Sequence, residues 1–153
     1  MLLTKGWQKA LVAAVLLAAA AVLAHLHVAA QVYHPVVRLA SPDGVTLTAL
    51  QDETPERQKC GRANDTFLKP MREHCKDCRV LYARCARELD ATETALLSNR
   101  PLPFYIVHSP GLRLAIEGPV ATAKQNCEFI AKDLFDRGYP QAVCLAPRLS
   151  PQK

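Results

Sequence analysis

The residues of this chain best suited to chemistry are its six cysteines, Cys60, Cys75, Cys78, Cys85, Cys127 and Cys144. Three chemistries compete for them. Cys75-Lys-Asp-Cys78 has the spacing of a thiol–disulfide centre. Such a centre works through a thiolate of lowered pKa, but no Trp precedes this pair and no strand-to-helix start follows it. Cys60, Cys75, Cys78 and Cys85, with His74 alongside, offer zinc ligands, yet they contain one CxxC knuckle where a zinc site of this kind uses two. The third chemistry is covalent stapling. An even number of cysteines, all in the part of the chain after the apolar N-terminus, reads as up to three disulfides formed in an oxidising compartment. Structural bridges are the preferred reading, with no metal and no cofactor. The spacing divides the cysteines into a group at 60, 75, 78 and 85 and a pair at 127 and 144.

Other reactive side chains are less organised. His108-Ser109 sits at a strand end next to a turn, but no Gly-x-Ser-x-Gly elbow surrounds the serine, and turn formation is its expected role. Asp52, Glu53, Glu56, Glu73, Asp77 and Glu117 are scattered acids; a hydrolase needs two carboxyl groups facing each other at a set separation. Asn64-Asp65-Thr66 spells a glycosylation sequon. Arg57, Lys59, Arg62, Lys69, Arg72, Lys76, Arg79 and Arg84 form a loose basic run that reads as a solvated helix face or as a surface for an anionic glycan or lipid headgroup. With four Phe and four Tyr in the whole chain, no stacking platform for nucleic acid is expected. No catalytic constellation emerges, and the chain reads as a non-enzyme.

The scaffold for these residues must be small. The chain has 153 residues with a net charge of +5, and half of it is hydrophobic. That length excludes a multidomain enzyme. The apolar content excludes disorder throughout, and neither Gly-rich nucleotide fingerprint is present. Hydrophobicity concentrates at the start. Ala10 to Ala24 are all Ala, Val or Leu, and residues 10–30 contain no Lys, Arg, Asp or Glu. A helix over 10–30 would span about 31 Å at ~1.5 Å per residue, close to the roughly 30 Å of a bilayer core. Lys5 and Lys9 precede the run, Trp7 can anchor at the interface, and His25 and His27 mark its far end. The expectation is a signal anchor: cytoplasmic 1–9, a transmembrane helix at 10–30, a linker at 31–35, a periplasmic domain at 36–146 and a tail at 147–153. A single pass through a bacterial inner membrane follows from it. The competing reading is a signal peptide cleaved after Ala30, behind the small residues Val28-Ala29-Ala30.

Beyond residue 35 the pattern predicts β-β-α-β twice, with a short helix between. Val36–Leu39 and Val45–Leu50 read as strands around the turn Ser41-Pro42-Asp43-Gly44. Thr54-Pro55-Glu56 opens a helix in which Cys60, Ala63, Phe67 and Met71 share one face, and Pro70 should kink or split it. Arg79–Cys85 reads as a strand and Asp90–Leu97 as a short capped helix. Pro103–His108 and Gly111–Glu117 form a second hairpin. Gly118-Pro119 then starts a helix whose apolar face carries Val120, Ala123, Cys127, Ile130, Ala131 and Leu134. Gln141–Leu145 is the last strand. The expected fold class is α+β: the transmembrane helix followed by a disulfide-stabilised ferredoxin-like domain, a split βαβ built of two ββαβ halves, with one antiparallel sheet and its helices on one face. The repeat favours bridges Cys60–Cys85 and Cys127–Cys144, leaving Cys75–Cys78; the alternative is Cys60–Cys78 with Cys75–Cys85.

Leu112-Arg-Leu-Ala-Ile-Glu-Gly118-Pro119, followed by Ala121, Ala123, Leu134, Gly138 and Ala142-Val143, resembles the second half of a SPOR domain. In that family a strand ends in Gly-Pro, a helix follows, and a strand closes after a Gly. The resemblance implies a periplasmic βαββαβ module that binds peptidoglycan glycan strands, often carried by a single-pass inner-membrane protein. It covers the C-terminal third; the first half departs from it with four cysteines and an extra helix near 90–98. The functional expectation is a membrane-anchored periplasmic accessory or interaction domain of a cell-envelope or polysaccharide assembly, without catalysis. Its partners would be the inner membrane, an envelope protein and an anionic glycan, with no nucleic acid. A SPOR-like glycan-binding module and a CxxC thiol–disulfide oxidoreductase are the alternatives.

Overall fold

The computed structural model describes residues 15–18 and 32–148. The anchor expectation needs correction. Within 10–30 the described residues are 15–18, which are helical. Among the described residues no helix is long and apolar enough to cross a membrane. Neither a transmembrane helix in the fold class nor single-pass placement in an inner membrane is therefore supported. Lys5, Trp7, Lys9, His25, His27 and the small residues ending at Ala30 lie outside the described residues, as does most of the 147–153 tail.

Residues 33–148 belong to the second of two compact units and carry an α+β fold. The elements are β1 (His34–Ala40), β2 (Thr46–Gln51), α1 (Arg57–His74), β3 (Arg79–Ala86), α2 (Ala91–Leu97), β4 (Tyr105–Ser109), β5 (Leu112–Glu117), α3 (Val120–Asp136) and β6 (Val143–Leu145). The six strands form one sheet in the order β3-β1-β2-β5-β4-β6, and every neighbouring pair is antiparallel. In each half the strand before the long helix and the strand after it run parallel, with a third strand between them. β1 lies between β2 and β3, and β4 between β5 and β6. The halves meet where β2 pairs with β5, from Thr46↔Glu117 to Gln51↔Leu112. This sheet has two strands more than a β-α-β-β-α-β chain supplies.

Strand alternation sends side chains to two faces. On one face Val37, Leu39, Ala49, Val107, Leu114 and Ile116 pack against Leu68 of α1 and against Ala123, Cys127 and Ala131 of α3. On the other, Val36, Leu50 and Ala115 pack against Leu96 of α2 and Leu102. The expectation of helices on one face is thus corrected: α2 covers the opposite face. Its apolar residues are few, and Val36, Leu50 and Ala115 on the far side of the strands must be covered by something.

Local chemistry explains the boundaries. Asp90 caps α2 by accepting from the Glu93 amide at 2.8 Å, while Glu93 accepts from the Asp90 amide at 2.9 Å, a capping box. α1 starts at Arg57 with Glu56 as its N-cap; Thr54, just before it, forms a two-way backbone bridge with Tyr33. Pro70 does not split α1, which runs on to His74. The carbonyl it leaves without a donor belongs to Thr66, on the exposed face where water can serve it. Gly118 has φ +147°, and a Cβ there would stand 2.9 Å from the Gly44 carbonyl oxygen, so the Gly-Pro start of α3 also lets two turns touch.

Candidate functional site

All six cysteines are joined: Cys60 to Cys85, Cys75 to Cys78, and Cys127 to Cys144, with Cα separations of 5.8, 5.3 and 5.5 Å. The first ties α1 to β3 and the third ties α3 to β6, at matching places in the two halves. As disulfides, none offers a thiolate to zinc. Among the described residues no group of three or more His, Cys, Asp or Glu is placed to hold a metal.

Cys75 is the C-cap of α1, and its amide donates to the Met71 carbonyl. Reactive CxxC thiols sit at helix N-termini, where the positive end of the dipole favours the thiolate. Here the pair sits at the negative end. That placement favours a stable bridge closing the turn between α1 and β3 over a redox centre.

His108 and Ser109 are neighbours in sequence but point to opposite faces of β4. Ser109 Oγ is buried on the α1/α3 side with no hydrogen-bond partner among the described residues. The scattered acids also stay apart. Glu117 pairs with Arg38 at 3.3 Å, Glu56 with Lys59 at 2.6 Å, and Glu53 lies 3.8 Å from His34 Nε2. The Asn64 side chain is buried, donating to the Arg84 carbonyl at 3.0 Å and accepting from Gln51 at 3.4 Å, which removes the sequon from reach in the folded chain. The basic run does not act as one patch either, since Lys59 is paired and Arg84 turns to a buried carboxylate.

That carboxylate is Glu93, fully buried on the α2 side of the sheet. Arg84 Nη2 donates to both of its oxygens, at 2.7 and 2.6 Å, and the Tyr82 hydroxyl donates to Oε1 at 3.3 Å. Burial would lower the Arg84 pKa, but the hydrogen bonds and charge of Glu93 outweigh it and hold the guanidinium above its usual range. Burial, with the Glu93 charge in the same direction, raises the Tyr82 phenol, against a hydrogen bond to Arg38. The network pairs charges internally and leaves none for a ligand.

A different place on the same face does. Between the end of α2 and strands β4, β5 and β6 lies a cavity of about 70 Å³ with Arg100, Arg113, Arg148 and His108 in its wall. Its apolar lining is aliphatic: Leu96, Leu102, Ile106 and Leu145. Among the described residues no acidic one lines it. His108 and Arg113 are direct cross-strand partners, and Arg113 Nε donates to Asn99 Oδ1 at 3.4 Å. Asn99 holds φ +53° just after α2, a conformation Asn tolerates better than most residues. Arg148 is brought in by the chain after β6, whose backbone donates to the Leu102 carbonyl at 2.9 Å. These cations come from three segments distant in sequence, so no local motif announces them; only the pairing of β4 with β5 and β6 assembles the set. A second cavity of about 230 Å³ lies on the α1/α3 side, between Phe67 of α1, Leu134 near the end of α3, Tyr139, and the Ser109–Leu112 turn. Among the described residues no cation lines it.

No known protein family, curated protein or solved structure matches this chain. The reading of its site therefore rests on the residues themselves.

Proposed function

We propose that residues 33–148 form a non-catalytic interaction domain, stapled for service in an oxidising compartment, that docks a protein partner of a cell-envelope or polysaccharide assembly through the arginine-lined cavity beside α2. The observation that carries this reading is the gathering of Arg100, Arg113 and Arg148 around one aliphatic hollow with no carboxylate among the described residues of its lining. Like charges crowded together repel, and the described residues give none of the three a carboxylate partner. An acidic group from outside would relieve that repulsion and steer association. The three disulfides support the compartment.

The test is site-specific photo-crosslinking in the native host, with the crosslinker at Pro101 beside the cavity. The expected result is one discrete adduct that is lost in the Arg113→Glu variant and kept in Arg62→Glu on the outer face of α1. An adduct indifferent to Arg113, or no adduct above background, would overturn the reading.

A further inference from the structure

The cavity beside α2 has two chemically distinct parts, and together they describe a ligand. Its cationic part differs from the other arginines on that face. Arg38 is paired with Glu117 and Arg84 with Glu93. Arg100, Arg113 and Arg148 have no such partner among the described residues. Asn99 takes the Nε hydrogen of Arg113. That leaves the two Nη groups of Arg113 as a planar fork, the geometry that fits a carboxylate with two parallel hydrogen bonds.

The second part is the aliphatic floor. Leu96 and Leu102 are buried, Ile106 and Leu145 half-buried, and among the described residues no Phe, Tyr or Trp lines the cavity. A nucleobase or sugar calls for a broad stacking face, and the one aromatic ring among the described lining residues is the His108 imidazole at the side of an aliphatic floor. The volume of about 70 Å³ suits one small group. The ligand must therefore present a carboxylate and a short aliphatic chain side by side. An Asp or Glu within a chain carries only one or two methylenes behind its carboxylate, with no branched aliphatic group beside it. The last residue of a polypeptide carries both on one carbon.

We infer that this cavity binds the free C-terminal carboxylate of a partner polypeptide whose last residue has a small aliphatic side chain. The carboxylate meets the Arg113 fork between Arg100 and Arg148, and the side chain rests on Leu102 and Ile106. This is the chain-end mode of peptide recognition. The inference rests on the docking reading above and gives it a substrate class.

The probes are three synthetic hexapeptides, identical except at the end: a valine free acid, a valine amide and an aspartate free acid. Each is titrated into the oxidised 153-residue protein, with binding followed by amide chemical shifts. The free valine acid should shift residues around Leu96, Asn99, His108 and Arg113, and the amide should bind about tenfold more weakly or worse, a loss of roughly 1.4 kcal/mol. Arg100→Gln, a change at an exposed position, should weaken the free acid several-fold and leave the spectrum otherwise folded. Equal binding of acid and amide, or shifts confined to another face, would overturn the inference. So would an oligouronate that competes at Arg113 where no peptide binds. If no peptide binds while the Arg113-dependent crosslink persists, the chain-end inference falls and the docking reading stands. If the crosslink is also absent, both fall.

Discussion

Arg84 Nη2 donates to both carboxylate oxygens of Glu93, which is fully buried beneath α2. The same carboxylate closes the capping box of α2 through the Asp90 amide. One acidic side chain thus fastens a seven-residue helix to the edge strand β3 and starts that helix as well. Glu93→Ala removes the cap and orphans Tyr82 and Arg84. The half-exposed guanidinium can regain water, so the cost should fall below that of a fully buried pair, at about 2–3 kcal/mol. Urea denaturation of Glu93→Ala and Glu93→Gln checks this, with the glutamine variant expected to lose less.

Gly118 and Gly61 should respond to the same substitution in opposite ways. Gly118→Ala puts a Cβ 2.9 Å from the Gly44 oxygen at a φ of +147°, so backbone must move. Destabilisation of about 2 kcal/mol or more is expected. Gly61 sits inside α1 with nothing within 4 Å of a new Cβ. Gly61→Ala should raise stability by up to about 1 kcal/mol from helix propensity. Thermal melts of the pair give opposite signs, and a stabilised Gly118→Ala would contradict the close approach.

The bridges should rank by the chain they close. Cys127–Cys144 and Cys60–Cys85 span sequence separations of 17 and 25, and Cys75–Cys78 spans 3. Loop entropy assigns about 3 kcal/mol to each long bridge and about 2 kcal/mol or less to the short one. Double Cys→Ser variants, unfolded in urea, should follow that order. Losing Cys75–Cys78 should leave the fold intact at ordinary temperature.

Alkaline stability has a definite sign. Burial raises the Tyr82 phenol above its ordinary value, so the folded state holds its proton where the unfolded chain has released it. The stability this contributes is complete below the unfolded pKa of about 10. It is lost as pH rises through the folded value. Tyr82→Phe should therefore show a shallower fall in stability above that point. At the acid end, Asp43 is held below the ordinary carboxylate value, first by a hydrogen bond with Ser41, with Val45 and Asn126 also donating. Its contribution is present above the unfolded value and disappears as pH falls through the lower folded one; Asp43→Asn should flatten that acid limb.

Much of this architecture is legible in the sequence because it is local. The Gly-Pro start and apolar face of α3, the Pro-Asp-Gly turn before β2, and the even number of cysteines each act within a few residues or by simple count. What fails is non-local. The side of the sheet taken by α2 depends on Val36, Leu50 and Ala115 needing cover, which appears only once strand register is fixed. The cavity cations are unreadable for the same reason: Arg100 follows α2, Arg113 lies within β5, and Arg148 follows β6. The sequence favours the basic run around α1, where the spacing is dense, over the place where the fold concentrates unpaired charge. At the N-terminus, hydrophobicity alone suggests a bilayer span that the described residues do not supply.

The β2–β5 seam, from Thr46↔Glu117 to Gln51↔Leu112, has a consequence during synthesis. The ribosome completes β1, β2, α1 and β3 before β5 exists, so the nascent first half waits with one side of β2 bare. That edge bears Leu47, Ala49 and Leu50, and its natural mate is an antiparallel strand of similar shape. Two chains stalled at this point offer each other the same edge. Between translation of Gln51 and of Glu117 that edge is open to strand exchange between copies, the hazard of any unpaired strand in a nascent chain.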